Sequence, residues 1–193
     1  MFEIFAQYLQ SKIELSDQEL KMIEEVCVVR KLRRNQYLLQ EGDIWRYNAF
    51  ITKGCLRTYS VDDRSMEHVL NFAIENYWIG DRESLLNGTP SRFNIDAIED
   101  STLLLISKEN FAGLMKSIPQ FQDLVNLIIE RSFVAIQDRI NNSISLNAEE
   151  KYIRFIEKQP QIALRVPQHM IASYLGMTPE TLSRIRKQSS KKQ

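Results

Sequence analysis

The spacing of hydrophobic residues changes character twice along the chain, dividing it into helical, strand-rich and again helical stretches. Residues 1 to about 26 read as helical. In "LSDQELKMIEEV", Leu15, Leu20, Ile23 and Val26 fall near one face, and Ser16 with Glu19 has the spacing of a capping box. From Val28 to Ser107 short β-rich runs alternate with turn residues. "AFITKGCLRTYSVDDRSMEHVLNFA" predicts strand, turn at Lys53-Gly54, strand, turn at Asp62-Asp63, strand, and "FNIDAIEDSTLLLIS" predicts two more strands around Glu99-Asp100. Regular short strands of this kind imply an antiparallel sandwich or roll. Beyond Lys108 the pattern is helical to the end.

The segment after Pro119, "QFQDLVNLIIERSFVAIQDRINNSI", carries apolar residues on more than one narrow stripe. Such a helix is either a buried core helix or one that packs on its own domain and also on a second copy. The second reading is preferred, with Leu124, Val125, Ile128 and Ile136 as the dimerisation positions. The pattern as a whole predicts an α+β fold in three parts: a β-roll with flanking helices over 1–118, a long dimerisation helix over 119–143, and a helical domain over 144–193.

Composition alters this picture in one respect. With 25 basic and 25 acidic residues the formal net charge is zero. From Lys151 onward, however, nine basic residues face only Glu157 and Glu180, so the first 150 residues carry the opposite excess. A basic module appended to an acidic one suggests a polyanionic partner for the C-terminal part. The cysteines, Cys27 and Cys55, are far apart without a Cys-x-x-Cys, which excludes a disulfide scaffold and offers no ligand set for an iron–sulfur cluster or structural zinc. The start "MFEIFAQYLQSK" is not a signal peptide, and no run reaches the roughly eighteen apolar residues of a membrane span. A cytoplasmic protein without a membrane role is expected.

Within the basic part, "IASYLGMTPETLSRIRK" meets the requirements of two crossed helices. Ala172 is small where the second helix crosses, Gly176 tolerates the turn, and Ile171, Leu175, Met177, Leu182 and Ile185 supply apolar contacts on both sides. Thr178 can cap the second helix and Pro179 suits its first position. This spacing predicts a helix-turn-helix whose second helix, 178–188, turns Glu180, Ser183, Arg184 and Lys187 outward. Arginine can fork to guanine and glutamate can accept from cytosine, while Lys187, Lys191 and Lys192 suit phosphates. Glu180 and Arg184, four residues apart, could also brace one another. Gln168 and His169, at the start of the first helix, complete the expected DNA-facing set with Thr178 and Pro179.

The β-roll, the long helix and "PQHMIASYLGMTPETLSRIRK" together resemble the Crp–Fnr family of bacterial transcription regulators over essentially the whole chain. "TPETLSRIRK" is similar to the family's Arg-Glu-Thr-Val-x-Arg recognition helix, which places Glu180, Ser183 and Arg184 on base-contacting positions, with Pro179 where the family often has arginine or serine. The resemblance implies a cyclic-nucleotide-binding-like roll, a winged-helix type of helix-turn-helix, a homodimer reading near-palindromic double-stranded DNA, and contact with RNA polymerase. It also implies an effector pocket from Gly80, Asp81, Arg82, Ser91, Arg92, Ser132 and Phe133. That pocket departs from the cyclic-nucleotide pattern: Asp81 stands for a glutamate, Ser91-Arg92 reverses an Arg-Ser pair, and Phe133-Val134 replaces hydroxyls. Cyclic AMP is therefore not the expected effector, no cofactor is assigned, and a different small-molecule effector stays open. No nucleophile–base pair suggests an enzyme. The rival to a DNA-binding regulator is a module whose C-terminal helices dock a partner protein.

Overall fold

The computed structural model describes residues 1–189. Two N-terminal helices, α1 (Phe2–Gln10) and α2 (Asp17–Glu25), lead into eight strands. The capping box at the start of α2 forms as expected, with Ser16 and Glu19 satisfying one another's backbone N–H. The strands are β1 (Val28–Leu32), β2 (Tyr37–Leu39), β3 (Tyr47–Lys53), β4 (Leu56–Val61), β5 (Glu67–Ala73), β6 (Trp78–Ile79), β7 (Asn94–Ala97) and β8 (Ser101–Ser107), with the short helix α3 (Arg82–Asn87) before β7. They form two antiparallel sheets in the orders β1-β8-β3-β6 and β2-β7-β4-β5.

Alternation along the strands sorts side chains into three apolar layers, because successive residues point to opposite faces. Ala49, Ile51, Leu103 and Leu105 face the second sheet, where they meet Leu39, Leu56 and Ile95. Their neighbours Phe50, Leu104 and Ile106 face the opposite way, onto Phe5, Leu9, Leu114, Ile118 and Phe121 of the helices. Both sides of β3 and β8 are covered, which is why "LLLI" reads as a continuous apolar run rather than an alternating one. Gly54 makes the β3–β4 turn at φ 106°, and a Cβ there would stand 2.7 Å from the Ser101 backbone. No side chain fits that approach.

The roll also contains a buried ion cluster. Arg57 on β4 grips Asp96 on β7 with two hydrogen bonds of 2.8 and 2.9 Å and reaches Glu67 on β5, linking three neighbouring strands. Its guanidinium lies 4.0 Å from the Tyr59 ring centroid.

After β8, α4 (Lys108–Ser117) and the 27-residue α5 (Pro119–Ser145) pack together. The two halves of α5 have different surroundings. Leu124 is buried against the roll, and Val125 and Ile128 pack on that same core. These three, expected at a dimer seam, are thus held by their own chain, and of the expected set only Ile136 stays exposed. The chain ends in α6 (Ala148–Lys158), α7 (Pro160–Arg165), α8 (Gln168–Leu175) and α9 (Pro179–Ser189). Pro160 starts the short α7 from its first position, where a missing N–H is harmless. No strand follows β8 among the described residues, so the wing implied by the resemblance is not part of the described domain.

Removing one carboxylate from the Arg57 cluster leaves a buried guanidinium under-compensated. Asp96→Ala should lower unfolding stability by about 3–5 kcal/mol in urea denaturation, whereas truncation of an exposed pair such as Arg92–Glu83 should change it by no more than about 1 kcal/mol.

Candidate nucleic-acid interface

Helix α8 ends on Gly176, whose φ of 68° and ψ of 38° place it in the left-handed region while its N–H closes the helix on Ala172 and Ser173 carbonyls. The chain then enters α9 through Thr178. The Thr178 hydroxyl accepts from the Thr181 N–H at 3.2 Å, and its carbonyl accepts from the Leu182 N–H at 3.1 Å. Ile171, Ala172, Leu182 and Ile185 are buried, so the inner faces of the two helices are those the sequence indicates.

On the outer face Pro179, Glu180, Ser183, Arg184, Lys187 and Gln188 border one shallow concavity. Glu180, Ser183, Arg184 and Lys187 are all exposed. The Glu180 carboxyl is held below its ordinary value by its own backbone N–H and by the Thr178 hydroxyl. No ion pair joins Glu180 to Arg184 among the described residues, so the expected bracing is not present. His169 is exposed, whereas Gln168 is partly buried and its side-chain oxygen finds no hydrogen-bond partner within the chain. Lys191 and Lys192 lie outside the described residues.

The expected effector pocket divides. Gly80, Asp81, Arg82, Ser132 and Phe133 border a cavity of about 400 Å³ between the roll and α5, together with Trp45, Tyr47 and Trp78. Gly80 is required there, since a Cβ would stand 2.4 Å from the Trp45 indole nitrogen. Ser91 and Arg92 do not border it. Asp81 caps α3 by accepting from the Ser84 N–H at 3.1 Å and also accepts from the Ser91 hydroxyl at 2.7 Å. Arg92 extends to solvent and pairs with Glu83 at 2.8 Å. A cyclic nucleotide would need a free carboxylate for its ribose and a cation for its phosphate. Here the Asp81 carboxylate is already engaged by Ser84 and Ser91, and Arg82 is the one cation among the lining residues.

The helix-turn-helix is also docked on the roll, through residues that sequence reasoning missed. Ser173 of α8 donates to the Glu67 carbonyl at 2.8 Å and accepts from the Val69 N–H at 3.0 Å, standing in for a neighbouring strand along the edge of β5. Arg139 of α5 donates to the Leu70, Val69 and Tyr174 carbonyls and lies over the Tyr174 ring. Arg165 bonds Glu75 at 2.7 and 3.0 Å and also pairs with Glu99. The opposed charges of the two halves were the available signal, since Arg165 belongs to the basic excess and both glutamates to the acidic one. Cys55 lies beneath this contact, where burial pushes its thiol up to about 12 and keeps it protonated at neutral pH.

Comparison with known proteins agrees with this architecture. Residues 29–118 match the cyclic nucleotide-binding domain model. The anaerobic regulatory protein of Pasteurella multocida is 23% identical over 183 residues, covering 89% of this chain and 66% of its own length. FixK2 from Bradyrhizobium japonicum superposes with a TM-score of 0.76 at 18% identity, covering 86% of each chain. A Eubacterium rectale protein assigned to the crp/fnr family of transcriptional regulators superposes with a TM-score of 0.69 at 18% identity, over 92% of this chain and 85% of its own. The chain is thus similar in fold, and over most of its length in sequence, to regulators of the Crp–Fnr type. The cyclic nucleotide-binding domain model ends at residue 118, immediately before α5.

Docking of the helix-turn-helix should depend on pH. Burial alone would raise the Glu75 carboxyl, but hydrogen bonds from Arg165 and from the Gly54 N–H outweigh it, so its value lies below the ordinary 4.5. A carboxyl with a depressed value contributes stability that is complete above the ordinary value and is lost as pH falls through the folded one. Amide protection factors at Val69 and along α8 should therefore be constant above pH 4.5 and fall below it, and Glu75→Gln should have lower protection factors at neutral pH.

Proposed function

We propose that this protein is a homodimeric transcriptional regulator of the Crp–Fnr type that reads near-palindromic double-stranded DNA with α9. The supporting observation is the outer face of α9, where Glu180, Ser183, Arg184 and Lys187 are exposed and have no ion-pair partner among the described residues, while Leu182 and Ile185 anchor the helix beneath them. A recognition helix enters the major groove with its N-terminal residues against the bases. Arg184 suits guanine O6 and N7, Glu180 suits cytosine N4, and Lys187 suits a phosphate. Contact with RNA polymerase and control by a small effector other than a cyclic nucleotide belong to the same proposal, as does action in the cytoplasm. No helix among the described residues is long and apolar enough to cross a membrane.

A second copy is the natural cover for the C-terminal half of α5. Phe133, Ile136, Ile140 and Ile144 are 61, 56, 55 and 80% exposed and recur at helical spacing. Ile140→Lys should convert a dimer to a folded monomer in sedimentation equilibrium, because the side chain supports nothing within its own chain.

DNA binding has its own test. Sites selected from random duplexes should show two-fold symmetry, and affinity should fall steeply with salt as phosphate neutralisation releases counterions. Arg184→Ala should cost about 1–3 kcal/mol in discrimination at one base pair per half-site while leaving the fold intact. A flat salt dependence, or an Arg184→Ala protein with unchanged DNA selectivity, would support docking on a partner protein instead.

A further inference from the structure

The basic residues of the C-terminal part are not all on the DNA-facing side. A cavity of about 610 Å³ lies where the edge of β5, the C-terminal half of α5 and the helices α6 and α8 meet. It shares no lining residue with the cavity between the roll and α5. Four cations border it, Arg139, Lys151, Arg154 and Lys158, against a single carboxylate, Asp138. Asp138 is 3.2 Å from Lys158, and neither Lys151 nor Arg154 has an ion-pair partner among the described residues.

Lys151, Arg154 and Lys158 stand three and four residues apart on α6, the spacing that puts side chains on one helix face. Arg139 keeps its charge uncompensated, since its hydrogen bonds go to carbonyl oxygens rather than to a carboxylate. Beside these cations lie two aromatic rings, Phe155 and Tyr174, with centroids 5.5 Å apart. A concave site of this size is within the range of small-molecule pockets, roughly 300–1,000 Å³. Like charges focused in a crevice raise the local concentration of anions. Lysine ammonium and the guanidinium fork are the groups best suited to phosphate oxygens.

We propose that this cavity binds a small phosphorylated metabolite. Lys151, Arg154 and Lys158 hold its phosphate, and the partly exposed Tyr174 borders its planar or apolar body. The site is built from the roll, the long helix and the helix-turn-helix domain together. An occupant touching all three favours the docked arrangement over any in which they separate, so the site couples ligand to the placement of α9.

The test uses the full chain without DNA, so its result does not depend on the DNA-binding proposal. Adenosine 5′-monophosphate, inorganic pyrophosphate and adenosine are titrated by calorimetry, with amide shifts followed by NMR. The nucleotide should bind saturably, pyrophosphate more weakly and adenosine not at all. Shifts should centre on residues 138–143, 151–158 and 173–176. The double variant Lys151→Gln/Arg154→Gln should keep its melting temperature without ligand and weaken nucleotide binding about tenfold or more. Absence of saturable binding by either phosphate compound, equal affinity in the double variant, or shifts confined to Trp45, Trp78 and Arg82 would overturn the proposal. A double variant that instead loses DNA affinity, with a shallower salt dependence and no phosphate-compound binding in the parent, assigns these cations to the DNA backbone and overturns it as well.

Discussion

An apolar sheet face cannot be left to water, and the outer face of the β2-β7-β4-β5 sheet determines where everything after α5 must lie. Tyr59, Val69, Phe72, Cys55 and Ile98 form that face, and Phe155, Ile162, Val166, Ile171, Ala172 and Leu182 cover it. Each large side chain buried there is worth about 1.5–3 kcal/mol, whereas a partly exposed pair such as Arg165–Glu99 contributes about 0–1 kcal/mol. Burial therefore holds the two parts together. The polar contacts of Ser173, Arg139 and Arg165 give the packed surfaces a definite register.

This arrangement explains which features were legible along the chain. The helix-turn-helix was, because Gly176, Thr178, Pro179 and the pair Leu182–Ile185 act on neighbours within a few residues. The strands were as well, since the turns at Gly54 and Asp62 are local. What could not be read was decided by distant partners. Leu124 and Ile136 belong to the same apolar pattern, and only the presence of the roll beside the first half of α5 separates a core residue from an exposed one. Asp81 and Ser91 have the residue types of a ligand site, yet they satisfy one another across ten positions of sequence. Arg165 read as part of a basic surface until Glu75 and Glu99 were placed beside it.

The two cavities differ in kind. The one between the roll and α5 is bordered by Trp45, Tyr47, Trp78 and Phe133 with a single cation, a setting for an apolar or aromatic body. The one at the junction of the domains is cationic and touches the helices that carry α9. Family resemblance directs attention to the first, and charge directs it to the second. Each borders α5, the first along residues 128–136 and the second along residues 135–143.

The outer and inner faces of α9 carry separate duties, and this separation has a consequence for how the protein changes over generations. Leu182 and Ile185 are committed to the packing beneath, so substitutions there disturb folding. Ser183 and Arg184 lie between them in sequence, but their side chains make no hydrogen bond or ion pair within the chain among the described residues. Under the proposed reading of DNA by α9, a lineage can therefore exchange one target sequence for another by altering the exposed positions alone, without passing through an unstable intermediate. Specificity here is free to drift while the scaffold stays under constraint.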